Sequence, residues 1–341
     1  MMTTRTLLCS LAIGLLPLAV PVASAEAPDL SALAAEAAEG EAVIWYESSP
    51  AEHVAEVIAA FNQSYPDVEV RHVRVTGGTA IAARIIQESQ AGTGTADVAT
   101  STAAQYVTLQ DEDLLAEIDW AALGLDGAIT PTATAAITTS PYFVLIWNKD
   151  KIADADAPDS WDALLDPQWK GRIGSWVLAG PFVQLAQPWG VEKARDYLEG
   201  FVAQEPILFQ STFPLAQQVA AGEVDLAIAA YHATIPPREA GAPIGMRVLD
   251  PTPIIALYSY VPKAAGNPAG ARLLMAWLHG PEGAAAYEEI TGRGNHLVEG
   301  TKTHAALAGT AVADFPPAEA ARVAELSAEF NALLGSVGPA Q

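Results

Sequence analysis

Residues 41–70, "EAVIWYESSPAEHVAEVIAAFNQSYPDVEV", decide the fold class because their hydrophobic pattern changes period twice. Residues 41–46 form a short apolar run, which is typical of a buried strand. The next apolar residues recur at the spacing of one helix face: Val54, Val57, Ile58 and Phe61. A second strand-like run then begins at Val68. Strand, helix and strand in succession predict an α/β fold built on a parallel sheet with helices on both faces.

The start of this first helix carries two local signals. Pro50 suits the first helical position, where the backbone N–H that proline lacks would have no partner within the helix. Ser49 and Glu52 have the spacing of a capping box, in which each side chain bonds the backbone of the other residue. The sequence therefore predicts a capping box here.

The same alternation extends outward along the chain. A strand at 68–75, a helix at about 80–90 and a short strand at 96–99 follow. After Pro141, "YFVLIWN", "GRIGSWV" and "DLAIAAY" are further predicted strands separated by helical patterns. No long Ser/Gly linker divides the chain, so we predict two α/β lobes between which the chain crosses back and forth. The first lobe comprises residues 41–124 and 251–290, and the second comprises residues 125–250 and 291–341.

Residues 1–25 have the features of a secretory signal peptide. Arg5 precedes an apolar run over 7–22, and Ala23-Ser24-Ala25 fits an A-x-A cleavage site. The single cysteine, Cys9, lies inside this segment, so no disulfide is expected in the mature chain. These features predict export, with no membrane insertion of the mature chain.

The charge balance excludes some classes of partner. The chain has 17 Lys and Arg against 40 Asp and Glu, a formal net charge of -23. Nucleic acids are recognised by clustered Lys and Arg, which this sequence lacks, so no nucleic-acid partner is expected. The motifs of serine hydrolases, zinc proteases, P-loop proteins and dinucleotide-binding enzymes are absent. We therefore predict a binding protein that needs no cofactor, rather than an enzyme.

Polar residues and glycines follow three consecutive predicted strands. They are Glu47, Ser48 and Ser49 after the first strand, Thr76, Gly77, Gly78 and Thr79 after the second, and Ser101 and Thr102 after the third. Ligands of open α/β sheets bind at the carboxyl ends of the strands, and helix starts favour anions. These segments therefore predict an anion site, the alternative being three unrelated sets of helix caps.

The second half of the chain offers positions that could close on the same ligand. Gly180 follows the strand "GRIGSWV", and Tyr231 and His232 follow "DLAIAA". Tyrosine supplies a ring and a hydroxyl, whereas histidine supplies a hydrogen-bond donor, an acceptor or a metal ligand. Trp147 and Trp176 are further candidates, with burial in the core as the alternative.

Several stretches resemble one family, the bacterial extracellular solute-binding proteins of ABC importers, in the cluster that includes ferric-ion, polyamine and phosphonate binders. The most specific is "SWDALLDPQWKGRIG", residues 160–174. The resemblance implies a type II, two-lobed periplasmic-binding-protein (Venus flytrap) fold with two hinge crossovers. It also implies a monomer that captures a small-molecule solute between its lobes and delivers it to an inner-membrane ABC permease.

The resemblance leaves the ligand open. Ferric binders of this family place two adjacent tyrosines where this chain has Tyr231 and His232, and their other ligands are not retained near Pro50 or near Ser101. One tyrosinate and one imidazole make a poor set for Fe³⁺, a hard cation. We therefore predict a small organic anion or zwitterion of the phosphonate, phosphate ester or carboxylate type, with Glu47 pairing an amine. The alternatives are ferric capture through Tyr231 and His232, a polyamine binder and an exported enzyme.

Overall fold

The computed structural model describes residues 29–76, 79–125 and 127–336. The predicted signal peptide lies outside the described residues, as do Gly77 and Gly78. Within the described part, two five-stranded sheets, each flanked by helices, form two α/β lobes.

The elements follow one another in the predicted alternation. The helices are α1 Ser31–Glu39, α2 Ala51–Ser64, α3 Ala80–Ala91, α4 Ala103–Asp111, α5 Gly180–Trp189, α6 Val191–Ala203, α7 Thr212–Ala221, α8 Tyr231–Glu239, α9 Pro268–His279, α10 Pro281–Thr291, α11 Lys302–Leu307 and α12 Ala320–Gly335. The strands are β1 Val43–Glu47, β2 Val70–Arg74, β3 Val98–Thr102, β4 Ala135–Thr139, β5 Phe143–Asn148, β6 Ile173–Trp176, β7 Ile207–Phe209, β8 Leu226–Ala230, β9 Ile244–Arg247, β10 Thr252–Pro253, β11 Leu257–Tyr260 and β12 Val312–Ala313.

Both sheets are mixed, whereas the sequence predicted parallel ones. The first has the order β2-β1-β3-β11-β4 and the second has the order β7-β6-β8-β5-β9. The strands β1, β2 and β3 run parallel, but β11 is antiparallel to both β3 and β4. In the second sheet, β5 is antiparallel to β8 and β9. In each sheet the antiparallel strand is the one that the chain enters directly after crossing between lobes.

The crossovers differ from the predicted lobe boundaries. Strand β4 pairs with β11 in the first sheet, so the first lobe extends to Thr139 and not only to residue 124. The chain crosses at 140–142 and returns at 254–256, where Tyr142 and Ile254 form an isolated bridge. The segment after α10 also packs on the first lobe, because the Asn295 amide donates to the Ile137 carbonyl. Residue periodicity does not show which sheet a strand joins, and this explains the difference.

A chain of hydrogen bonds runs through the core of the first lobe. His279 Nδ1 lies 2.6 Å from the Met275 carbonyl, which can only accept, so Nε2 accepts from the Thr138 hydroxyl at 3.1 Å. Thr138 and Thr100 both bond Ser259, at 2.5 and 2.6 Å. Burial lowers the pKa of His279 to about 4. We call Thr100, Ser259, Thr138 and His279 the core chain; all its polar groups are satisfied within the protein.

Candidate functional site

A cavity of about 290 Å³ lies between the two lobes. The first lobe contributes Ser48, Leu257 and Arg293, the crossovers contribute Pro141 and Ile255, and the second lobe contributes Phe143, Trp176, Gln210, Ser211, Thr212, Phe213, Ala230 and His232. We call this space the interlobe cavity. Because both lobes and both crossovers form its walls, a molecule bound there would contact all the parts that a hinge motion displaces.

Among the described residues, Arg293 is the one formally charged side chain that lines the interlobe cavity. It is half-buried and directly follows α10, where its backbone N–H donates to the Thr291 hydroxyl. Its Nη1 donates to Ser49 Oγ at 2.8 Å. Among the described residues no Asp or Glu forms an ion pair with it, so most of its five N–H groups are free to bind an anion.

Glu47 lies behind Ser49 and does not line the cavity, which corrects the prediction that it pairs with a ligand amine. Its side chain is fully buried at the end of β1. The Ser49 hydroxyl donates to Glu47 Oε1 at 2.8 Å, the Ser49 amide donates to Oε2, and the Tyr287 hydroxyl donates at 3.3 Å. Since Ser49 is engaged in this way, the predicted capping box does not form, and α2 has no side-chain cap.

Three helices begin at the wall of the interlobe cavity. Ser48 precedes α2, Ser211 caps α7 by accepting from the Phe213 amide at 3.3 Å, and Ala230 precedes α8. Each helix start carries partial positive charge from aligned backbone dipoles. Together with Arg293, these helix starts give the cavity a local field that favours an anion despite the negative net charge of the chain.

His232, one of the candidates named from the sequence, lies in the first turn of α8 and lines the cavity. Its ring meets Phe213 edge-on, with centroids 5.5 Å apart. Burial lowers the pKa of His232 to about 3, and the neighbouring Arg293 charge adds to this effect. The imidazole is therefore neutral near pH 7 and can donate or accept one hydrogen bond to a ligand.

Aromatic side chains form one wall of the cavity. Trp176 stacks on Phe143 with centroids 6.3 Å apart, and its Nε1 donates to the Gln210 carbonyl at 3.2 Å. Phe213 is 44% exposed, which is unusual for such a side chain in this protein. This wall suits the apolar body of an organic ligand. Gly180 does not line the cavity but lies next to this wall, since a Cβ at this position would meet the side chains of Ile255 and Trp176.

Thr76 and Thr79, the described residues of the second predicted segment, do not line the interlobe cavity. Thr76 is exposed, and Thr79 lines a separate surface pocket. The amides of Ile81 and Ala82 at the start of α3 both donate to Gln105 Oε1, at 3.0 and 3.1 Å. This helix start is therefore already satisfied by a side chain from α4 and offers those donors to no ligand.

The third predicted segment also lies elsewhere. The Ser101 hydroxyl bonds the Tyr260 hydroxyl at 2.7 Å and is buried. Thr102 lines a cavity of about 170 Å³ behind the crossover, together with Tyr258 and Asp314; we call it the hinge cavity. Because side chains alternate along a strand, Leu257 faces the interlobe cavity and Tyr258 faces the hinge cavity. Of the described residues in the three segments, only Ser48 lines the interlobe cavity.

Tyr231 and His232 diverge although they are adjacent. The Tyr231 ring stacks on Tyr142 with centroids 4.8 Å apart and lines a different cavity, alongside Arg238 and Glu288. Within the described residues, no three His, Asp or Glu side chains are grouped so that they could hold a metal ion.

Trp147, the remaining candidate, is a core residue of the second lobe. It is 3% exposed, and its Nε1 donates to Asp154 Oδ1 at 3.1 Å.

Sequence reasoning missed the residues that dominate the cavity: Arg293, Gln210, Ser211, Thr212 and Phe213. Arg293 had one usable signal, because it is a basic residue between two glycines, "TGRGN", in a chain poor in Lys and Arg. The segment "FQSTFP" had the Ser-Thr signature of a helix start after a strand. Neither signal indicates by itself that the residues face a cleft.

The chain is similar in fold to several solved proteins. Iron-bound HitA from Pseudomonas aeruginosa superposes with a TM-score of 0.70 and 21% identity, covering 87% of this chain and 99% of that one. AfuA from Actinobacillus pleuropneumoniae with bound fructose-6-phosphate superposes with a TM-score of 0.68 and 19% identity, covering 86% of this chain and 98% of that one. A structure described as Atu4243-GABA receptor superposes with a TM-score of 0.69 and 16% identity, covering 86% of this chain and 98% of that one. No curated protein sequence matches.

Residues 56–297 match the family model described as bacterial extracellular solute-binding protein. The two sheets and the interlobe cavity agree with the two-lobed type II fold of the similar structures. No helix in the described part of the chain is both long and apolar enough to cross a membrane. The chain therefore belongs to the bacterial extracellular solute-binding proteins, the substrate-binding components of ABC transporters, and this family implies a periplasmic location.

Proposed function

We propose that the protein captures a small organic anion in the interlobe cavity and, after cleavage of its signal peptide, delivers it in the periplasm to an inner-membrane permease. The single observation that carries the proposal is Arg293, the one charged side chain at the cavity wall and one without an ion pair among the described residues. The helix starts at Ser48, Ser211 and Ala230 add to its field.

The walls indicate the remainder of the ligand. Trp176, Phe143 and Phe213 suit an apolar or aromatic body, and the neutral His232 suits a hydroxyl or carbonyl group. The cavity suits a zwitterion less well, because Glu47 is buried behind Ser49 and no Asp or Glu in the described part of the chain lines the cavity. The favoured ligand is thus an anion with a neutral body.

Ligand binding would favour closure of the lobes. Arg293 and Ser48 approach from the first lobe, whereas Trp176 and His232 approach from the second. A ligand that contacts both sets binds the closed state more tightly and shifts the population toward it.

The same geometry argues against ferric capture. Tyr231 and His232 line different cavities, so they cannot share one metal ion in this arrangement. Fe³⁺ favours several anionic oxygen ligands, and no carboxylate of the described residues lines the interlobe cavity. One structure of similar fold is that of iron-bound HitA, so ferric salts belong in the test.

A thermal-shift screen with carboxylates, phosphonates, phosphate esters, polyamines and ferric salts tests the proposal. We expect organic anions to stabilise the protein, and we expect Arg293→Gln to weaken their binding about 10- to 100-fold, since a hydrogen-bonded charge is lost. Arg272→Gln, which removes an exposed charge from α9, is the matched control and should leave binding unchanged. Stabilisation by polyamines or ferric salts alone would overturn the proposal.

A further inference from the structure

Ser49 joins the ligand-facing arginine to a buried carboxylate. Its hydroxyl donates to Glu47 Oε1 at 2.8 Å and accepts from Arg293 Nη1 at 2.8 Å. A hydroxyl has one hydrogen, so Ser49 has no donor left for a ligand while both bonds hold. Ser49 is 2% exposed, and its role in this arrangement is to fix the guanidinium.

The surroundings of Glu47 are those of an ionised carboxylate. Three donors converge on it: the Ser49 amide, the Ser49 hydroxyl and the Tyr287 hydroxyl. A carboxylate accepts in this way, whereas a protonated carboxyl would also need an acceptor. Burial raises the pKa of Tyr287, and the nearby Glu47 charge adds to the effect, so the phenol keeps its proton and remains a donor.

A full negative charge thus lies two hydrogen bonds behind the positive charge at the cavity wall. Glu47 is fully buried, where charges interact more strongly than in water. A ligand with one negative charge is attracted by Arg293 and needs no further cation. Among the described residues no second Lys or Arg side chain lines the cavity, so a ligand with two negative charges has only one ion-pair partner there and is repelled by Glu47.

We propose that Glu47, acting through Ser49, positions Arg293 and makes the interlobe cavity select singly charged anions over doubly charged ones. This inference rests on the proposed function and narrows its ligand class to carboxylates and other monoanions. Glu47 is a positioning and specificity-determining residue, since it touches no ligand itself.

Two probes that share a phenyl ring and an anionic head with three terminal oxygens, but differ in charge, test the inference. Benzenesulfonate carries one negative charge, and phenyl phosphate carries close to two at about pH 8. We expect calorimetry near that pH to show wild-type protein binding benzenesulfonate at least about tenfold more tightly, and Glu47→Gln to reduce this ratio about tenfold. Glu41→Gln removes the same formal charge from an exposed position before β1 and should leave the ratio unchanged.

The wild-type protein provides a second test that does not depend on how a variant folds. Between about pH 8 and pH 5, phenyl phosphate gains a proton and becomes a monoanion. His232 stays neutral over this range because its pKa is about 3. We expect the affinity for phenyl phosphate to rise about tenfold as the pH falls, with little change for benzenesulfonate.

The outcomes separate the inference from the proposed function. If Glu47→Gln weakens both probes equally, or if the phenyl phosphate affinity does not rise on acidification, the charge selection is refuted and anion capture by Arg293 stands. If neither probe binds the wild-type protein, or if Arg293→Gln leaves their binding unchanged, both the proposed function and this inference are overturned.

Discussion

Two chains of polar side chains run through the first lobe, and they end differently. The core chain ends at the Met275 carbonyl, with every donor and acceptor used inside the protein. The chain from Glu47 through Ser49 ends at Arg293, whose remaining N–H groups face the interlobe cavity. Both are buried for most of their length. A buried polar network therefore indicates a binding site where it leaves charged donors at a cavity.

Acid should break the core chain and give the largest effect on stability. The folded-state pKa values of His279 and His296 are about 4, lowered chiefly by burial, against 6.5 when exposed. The unfolded state then binds more protons, so stability present above about pH 6.5 is lost as the pH falls toward 4. Each histidine contributes up to about 1.4 kcal/mol per pH unit to this slope.

Asp314 in the hinge cavity acts in the opposite sense. Burial raises the pKa of Asp314 from 3.8 to about 7. Its protonation therefore stabilises the folded protein as the pH falls through this range. Urea unfolding of Asp314→Asn should therefore show a steeper loss than wild type between about pH 6.5 and 4. A flat stability profile in wild type and variant would contradict the assignment of neutral, buried histidines.

Ser259→Ala breaks the core chain at its centre. The hydroxyls of Thr100 and Thr138 each lose a buried partner, so we expect the free energy of unfolding to fall by about 2–3 kcal/mol. Anion affinity should not change in calorimetry, because Arg293 is untouched. A large change in affinity at full stability would contradict the separation of the two chains.

Ser49→Ala breaks the other chain and should have the reverse profile. Arg293 loses its hydrogen-bond acceptor and Glu47 loses a donor. We therefore expect anion affinity to fall about tenfold, while the free energy of unfolding falls by only about 1–2 kcal/mol. Calorimetry and urea unfolding on the same variant measure both. An unchanged affinity would show that Arg293 needs no positioning.

Thr79→Ala should have the smallest effect on affinity and stability, and it is the counterpart of Ser49→Ala at another helix start. Thr79 also precedes a helix after a strand, but it is exposed, makes no side-chain cap and lies away from the interlobe cavity. We expect affinity to be unchanged and stability to stay within about 0.5 kcal/mol. An affinity loss equal to that of Ser49→Ala would restore the helix start of α3 as part of the site.

The candidate site was only partly predictable, and the reason is visible at the two helix starts. Ser49 and Thr79 occupy similar sequence contexts, between a strand and a helix. The α3 start is satisfied by Gln105, whereas Ser49 is held between Glu47 and Arg293. No local pattern reveals these partners, because Gln105 and Arg293 are distant along the chain.

The sequence by itself determined the periodic elements, their alternation and the family resemblance, because hydrophobic period and turn chemistry act over a few residues. Ser48, Trp176 and His232, which the sequence named as candidates, line the cavity. Three features become visible only in the tertiary structure. Tyr231 lines a different cavity, Glu47 is fully buried, and Arg293 supplies the charge at the interlobe cavity. These outcomes depend on hydrogen bonds and packing between distant segments, which form only when the two lobes assemble.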